Sequence, residues 1–326
     1  MKAWQFTGTG RPLQLADLEI PQPGPGKVLL KVGAAGLCQS DVRSMYDAHG
    51  AAILVKTPIT LGHEIAGTVR AVGDGVTEWK TGDRVGVCPT ASAGTPGSEG
   101  PAANEVSPGY GHDGGFAEYY LGSANDLVRI PDELDIADGA VATDAGMTSY
   151  HALVVRGGLK AGMKAGIIGL GGLGQIAARV GVLLGAEVHV AEPKESAWDM
   201  ARSLGVTEVV ADATEWAGRG FDLIVDYAGF GSTTDAAIKA VRFDGTVVQV
   251  GLAQRQATVD TTIMVVSHVN YLGSIGGTKE DIAALYQLMK SGDLAPRTTE
   301  ISFHDIPAGL EDLRAGKVAG RLVARL

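Results

Sequence analysis

One hexapeptide, Gly169-Leu170-Gly171-Gly172-Leu173-Gly174, narrows the folds open to this chain more than any other feature. It stands between an apolar run, Ala165 to Leu170, and a segment, Leu173 to Leu184, in which Leu173, Ile176, Ala177, Val180 and Leu184 recur at spacings of three and four. The run predicts a strand and the spacing predicts a helix that lays one apolar stripe on a sheet. In a G-x-G-x-x-G turn at that junction, Gly169 permits the tight turn, Gly171 lets a pyrophosphate approach the backbone, and Gly174 allows close packing of helix on strand. Gly172 and Leu173 open the helix, whose N-terminus offers N–H donors and partial positive charge to phosphates. A merely glycine-rich βα turn is the alternative reading. Eighteen residues beyond Gly174, a strand over Glu187 to Ala191 ends at Glu192. A carboxylate there accepts from adenosine ribose hydroxyls and repels a 2′-phosphate, which favours NAD over NADP, with Lys194 as the nearby cation that would offset it.

Further apolar runs at Glu208 to Ala211, Phe221 to Asp226, Thr246 to Val250 and Asn270 to Ile275 complete a doubly wound parallel sheet. The run at Asn270 would lie at the sheet edge, where pairing across a two-fold axis makes a homo-oligomer, a dimer or tetramer. Before about Thr148 the pattern differs. Short alternating runs such as Lys27 to Val32 and Glu64 to Val69, cut by Gly and Pro, predict an irregular, mostly β domain. Ala91 to Gly111, rich in Ala, Gly, Ser and Pro, reads as a long surface excursion. The tail from Ala295 reverts to short β-like pieces that return to the first domain. The expected division is therefore 1–147, 148–290 and a returning segment 291–326, in an α/β chain.

Composition excludes several partners. A formal charge of −10 argues against nucleic acid or an anionic membrane, which call for clustered Lys and Arg. A small molecule is the expected ligand. Cys38 and Cys88 are the only cysteines, too few for a disulfide framework in 326 residues and compatible with a reducing, cytoplasmic setting. Met1-Lys2-Ala3-Trp4-Gln5 lacks a signal pattern, and the most apolar stretch, Gly162 to Ala186, is interrupted by Lys164, Gln175 and Arg179.

Three candidate metal donors stand in the first part of the chain: Cys38 in Gly36-Leu37-Cys38-Gln39-Ser40-Asp41, His63 in Gly62-His63-Glu64, and Asp144 in Thr143-Asp144-Ala145-Gly146. Thiolate, imidazole and carboxylate all suit Zn²⁺, and three protein ligands with an open position is the catalytic pattern. Spacing alone leaves the other reading open, a buried thiol and a hydrogen-bonded histidine.

The order of motifs resembles the zinc-dependent alcohol dehydrogenases of the medium-chain dehydrogenase/reductase family. Gly36 to Asp41, Leu61 to Gly67, Gly82-Asp83-Arg84-Val85, Gly114-Gly115-Phe116-Ala117-Glu118-Tyr119 and the glycine turn stand in family order over nearly the whole chain. The resemblance implies a GroES-like catalytic domain before a Rossmann domain. It also implies hydride transfer between NAD(H) and an alcohol/ketone pair, with a secondary alcohol as the expected substrate. Residue by residue, it implies Cys38, His63 and Asp144 as ligands of one catalytic zinc, Glu64 as a near-metal carboxylate, and Asp41 as the partner that orients His63. Ser40 would bond the substrate oxygen and begin a proton relay, Thr148 would touch the nicotinamide, and Gln39 and Arg321 would lie near the pyrophosphate. Many members carry Cys where Asp144 stands, but Thr143 to Ala152 resembles bacterial secondary-alcohol dehydrogenases that use aspartate.

This chain departs from the family pattern at two places. The cysteine cluster that holds a structural zinc in many members has no counterpart in Ala91 to Gly111, so no structural zinc is expected. Arg43 stands where many relatives have the histidine that ends the relay. Other readings compatible with the fold are a zinc-free quinone or enone reductase of the same superfamily and a non-catalytic nucleotide-binding protein.

Overall fold

The computed structural model describes residues 1–90 and 107–326, so positions 91–106 of the expected surface excursion lie outside the described residues. Contacts divide the chain into two compact units, Met1–Ala145 with Thr278–Gly292 and Thr298–Leu326, and Gly146–Gly277 with Asp293–Arg297. The division differs from the expected boundary at 290, because Thr278–Gly292 joins the first unit. The helix Lys279–Lys290 is capped by Thr278 and Asp281 and buries Ile282, Leu285, Tyr286 and Met289. Its Tyr286 hydroxyl donates to the Gly139 carbonyl at 3.0 Å, which commits the helix to that unit.

The first unit is built on a seven-stranded sheet. Thr298–Ser302, Arg321–Arg325, Lys27–Leu37, Glu64–Val72, Arg84–Val87 and Leu127–Arg129 lie side by side in that order. The long strand Lys27–Leu37 shares one edge between two partners, Tyr119–Ser123 opposite residues 27–31 and Arg321–Arg325 opposite residues 34–37. A smaller sheet joins Gln14–Asp17, Lys2–Phe6 and Ile59–Thr60. Leu30, Leu37, Ile65, Val85, Phe116 and Tyr120 belong to one buried cluster. Each such aliphatic side chain contributes roughly 1.5–3 kcal/mol on burial.

The tail is not purely β. Between strands Thr298–Ser302 and Arg321–Arg325 runs the helix Ile306–Arg314. Pro307 in its first turn suits helix initiation, and Ile306, Leu310 and Leu313, at spacings of four and three, face the core cluster. The period was hidden in a short segment flanked by β-like residues.

The second unit contains a six-stranded parallel sheet. Its strands lie in the order Glu208–Val210, Glu187–Ala191, Lys164–Ile168, Phe221–Asp226, Val241–Gln249, Asn270–Gly273. That order reverses direction beside Lys164–Ile168, where the next connection crosses to the other side of the sheet, and the crevice at such a switch point receives ligands. The strand expected from Thr246 begins earlier, at Val241, with a register shift against Phe221–Asp226. Helix Gly172–Leu183 buries Ile176, Ala177 and Val180 as its spacing predicts. No helix among the described residues is long and apolar enough to cross a membrane.

Candidate active site

In the first unit, strand register sets the candidate metal centre. Gly36 pairs with Glu64 on one side and Val323 on the other, and Leu37 pairs with Leu322. Cys38 follows Leu37, His63 precedes Glu64 and Arg321 precedes Leu322, so adjoining strand ends deliver a thiol, an imidazole, a carboxylate and a guanidinium to one place. Gly36 has no alternative here, since a Cβ would lie 2.0 Å from Glu64 Oε1. The fourth arrival is Asp144, on a π-helical turn, Ala142–Gly146, that follows helix Ile136–Val141. Such turns recur at functional sites. Thr143 fastens it, with Oγ1 donating to Ala140 O at 2.7 Å and accepting from Ile65 N at 3.2 Å.

Cys38, His63 and Asp144 each point one ligand atom inward, all within 4.8 Å of one another. A tetrahedral zinc ion would draw such donors to roughly 3.5 Å apart, so a small contraction completes the set. His63 presents Nε2 to this point, 3.4 Å from Asp144 Oδ2, and turns Nδ1 toward Asp41 Oδ1 at 3.3 Å. Asp41 is buried at 1% exposure and accepts from Cys38 N at 3.0 Å and Gly62 N at 3.3 Å. It thereby fixes the backbone beside two of the donors as well as one imidazole face.

Charge is concentrated here. Burial pushes Glu64 up to about 7 against the pull of the Arg321 guanidinium. Burial also acts to raise Asp144, but the neighbouring His63 and Arg321 overcome it and hold that carboxyl well below the usual range. Burial disfavours the His63 cation, yet Tyr110, Asp41 and Asp144 together push its pKa well above the ordinary histidine value.

Ser40 Oγ lies 3.3 Å from His63 Nε2, on the edge of the donor set. Gln39 is exposed at the first turn of helix Gln39–Tyr46. Arg321, for which the resemblance implies a pyrophosphate contact, is 4% exposed and engaged by two carboxylates. Its Nε donates to Glu64 Oε2 at 3.0 Å, and its Nη2 reaches that same oxygen and donates to Asp144 Oδ2 at 2.8 Å. Tyr110 is a residue that no motif marks. Its ring lies 5.4 Å from the His63 ring. The sequence marks it only, with Tyr46, as an aromatic able to fill the wall of the substrate cleft. His112 and Asp113 are half-buried, and Asp113 Oδ1 accepts from Thr60 N at 2.8 Å.

In the second unit, Lys164–Ile168 leads through Gly169, φ +86°, and Gly171 into helix Gly172–Leu183. A Cβ on Gly174 would stand 1.8 Å from Gly169 O, whereas one on Gly171 would meet nothing within 4 Å. Gly174 is required by packing, and Gly171 leaves open space for an approaching group. Leu173 O accepts from Ser149 Oγ at 2.9 Å, next to Thr148, which is buried on helix Met147–Tyr150. Glu192 braces the turn, its Oε2 accepting from Leu170 N at 2.8 Å and its Oε1 from Lys194 N at 3.0 Å. Asp226, unmarked by any motif, is fully buried and accepts from Ala228 N and Gly229 N at 3.0 and 2.8 Å, fixing the neighbouring strand end.

Comparison with known proteins gives two family matches, an alcohol dehydrogenase GroES-like domain over residues 24–132 and a zinc-binding dehydrogenase domain over residues 172–291. An alcohol dehydrogenase of Geobacillus stearothermophilus is 31% identical over the full length of both chains. Among solved structures, acetophenone reductase from Geotrichum candidum in complex with NAD is 34% identical, covers 100% of this chain and 97% of its own, and superposes with a TM-score of 0.91. A cobalt- and zinc-bound thermostable alcohol dehydrogenase from Pyrobaculum aerophilum is 25% identical, covers 100% of this chain and 99% of its own, with a TM-score of 0.90.

The contrast between the two turn glycines is testable. Gly171→Ala is expected to melt within about 0.5 kcal/mol of the parent, yet to bind NAD roughly tenfold or more weakly, because its methyl intrudes where the pyrophosphate approaches. Gly174→Ala is expected to lower the melting temperature instead. Unchanged NAD affinity in Gly171→Ala, by calorimetric titration, would remove the phosphate role from this turn.

Proposed function

The chain belongs to the zinc-binding, NAD-dependent alcohol dehydrogenases, and from that premise we propose that it interconverts secondary alcohols and ketones at a single zinc held by Cys38, His63 and Asp144. The observation that carries the reading is the convergence of those three donors beside Ser40. One thiol, one imidazole and one carboxylate fit zinc, and three ligands leave a position for substrate. Zinc, when bound, lowers the pKa of an alcohol as a Lewis acid, and NAD takes up the hydride. The chain's own residues supply orientation and proton handling. Ser40 accepts the substrate hydroxyl's hydrogen bond. Asp41 fixes the His63 ring so that Nε2 faces the donor set. Gly169, Gly171, Gly172, Leu173 and Gly174 receive the pyrophosphate, Thr148 contacts the nicotinamide, and Glu192 takes the adenosine ribose hydroxyls. Both Glu192 oxygens are fixed by backbone donors, which holds the carboxylate where a 2′-phosphate would come.

The substrate class rests on two supports. The similar acetophenone reductase acts, by its name, on a ketone with two carbon substituents. Pro89 and Thr90 are small where relatives often place a bulky aromatic, although Tyr110 supplies an aromatic wall beside His63. One zinc per chain is expected, since Ala91 to Gly111 holds no cysteine.

The expected assembly is a homo-oligomer. Among the described residues, Asn270–Gly273 is the last strand of its sheet and pairs only with Val241–Gln249. Val265, Val266 and Ile275 are 72%, 68% and 80% exposed close to it in sequence, an apolar edge suited to pairing with a second copy.

Initial rates with NAD⁺ over ethanol, 2-propanol, 2-butanol and 1-phenylethanol test the activity. Higher kcat/KM on the secondary alcohols, and on NAD⁺ over NADP⁺, is expected, with one zinc per chain by elemental analysis. Fastest turnover of ethanol, or preference for NADP⁺, would contradict the substrate or the Glu192 assignment respectively. For the assembly, Ile275→Asp is expected to sediment at lower mass than the parent; an unchanged mass would place the interface elsewhere.

A further inference from the structure

We propose that Arg321 is a positioning residue for Asp144, holding the carboxylate so that it binds zinc through one oxygen and leaves the fourth position open. This rests on the zinc reading above and adds to it a specific task for the guanidinium. The chemical need arises from the ligand type. A thiolate has a single donor atom, whereas a carboxylate has two and chelates a cation when free to turn. Chelation by Asp144 would fill the position that a catalytic zinc keeps for water or substrate.

The geometry meets that need. Arg321 Nη2 donates to Asp144 Oδ2 at 2.8 Å, a charge-assisted hydrogen bond that fixes the rotation of the carboxylate and holds this one oxygen 3.4 Å from His63 Nε2. The guanidinium itself cannot turn away, since its Nε and Nη2 both engage Glu64 Oε2, and Glu64 is fully buried over Gly36. The pairing Leu322↔Leu37 fixes the strand that carries Arg321. Glu64 and Asp144 both meet the Arg321 guanidinium, which is 4% exposed. Burial of that cation is itself tolerable only because two carboxylates meet it.

The test is a double-mutant cycle read by metal binding. Zinc affinity by chelator competition, and the visible spectrum of the cobalt-substituted protein, are measured for Arg321→Gln and Arg321→Lys, each alone and combined with Asp144→Cys. With Asp144 present, Arg321→Gln is expected to weaken zinc roughly 10–100-fold and to shift the cobalt bands from a four- to a five-coordinate pattern. Arg321→Lys retains the charge without the fork, so it keeps much of the affinity but shows the band shift. Combined with Asp144→Cys, either substitution is expected to change affinity by no more than about twofold, because a thiolate has no second oxygen to restrain. Equal losses in the two backgrounds, or no loss and no band shift with Asp144 present, would overturn the proposal. Should Arg321→Gln fail to fold, Arg321→Lys carries the same comparison through its cobalt spectrum. A parent protein that binds no zinc contradicts the metal reading itself; one that binds zinc with Arg321 indifferent contradicts only this inference.

Discussion

The carboxylate of Asp41 accepts from the amide of Cys38 and from that of Gly62, and faces the imidazole of His63. One buried side chain thus joins two segments of chain that each carry a candidate metal donor. A carboxylate at 1% exposure is unfavourable by several kcal/mol unless every oxygen finds donors. Here those donors are the backbone groups whose positions the site depends on. The need to satisfy Asp41 and the need to converge Cys38 and His63 are met by the same contacts, so the folding of this corner and the building of the centre are one event. Asp144 arrives by a separate route, through the π-helical turn and Thr143, and Arg321 by a third, through the returning C-terminal strand.

The two units solve different problems with glycine. In the first, Gly36 makes room for a neighbouring carboxylate, so the absence of a side chain serves the centre directly. In the second, Gly174 serves packing and Gly171 serves access, although both belong to one motif. Glu192 braces its own turn through Leu170 N.

The sheet of the second unit was legible because parallel strands buried on both faces read as continuous apolar runs, and the helix after the turn kept a clean period. The first unit was less so. That Cys38, His63 and Asp144 share a point depends on the register of Gly36 against Glu64 and on an irregular helical turn, neither of which leaves a periodic trace. Resemblance, not spacing, singled those residues out. The pairing of Arg321 with Asp144 and Glu64 joins residues far apart in sequence, and nothing local to Arg321 announces it. Tyr110 could be named only, with Tyr46, as an aromatic able to fill the substrate wall, since its place beside the His63 ring leaves no local signature. The helix at Ile306–Arg314 was missed because nine residues between strands give too short a window for a period to outweigh its flanks.

The central claim is that thiolate, imidazole and carboxylate form one zinc centre in this chain. X-ray absorption at the zinc edge of the purified protein tests it most directly, because sulfur and light-atom ligands scatter at separable distances. The account predicts one sulfur at about 2.3 Å with the remaining nitrogen and oxygen ligands at about 2.0–2.2 Å, the sulfur lost in Cys38→Ser and the light-atom shell altered in Asp144→Ala. A shell without sulfur, a shell with two sulfurs, or a spectrum that both substitutions leave unchanged would contradict it.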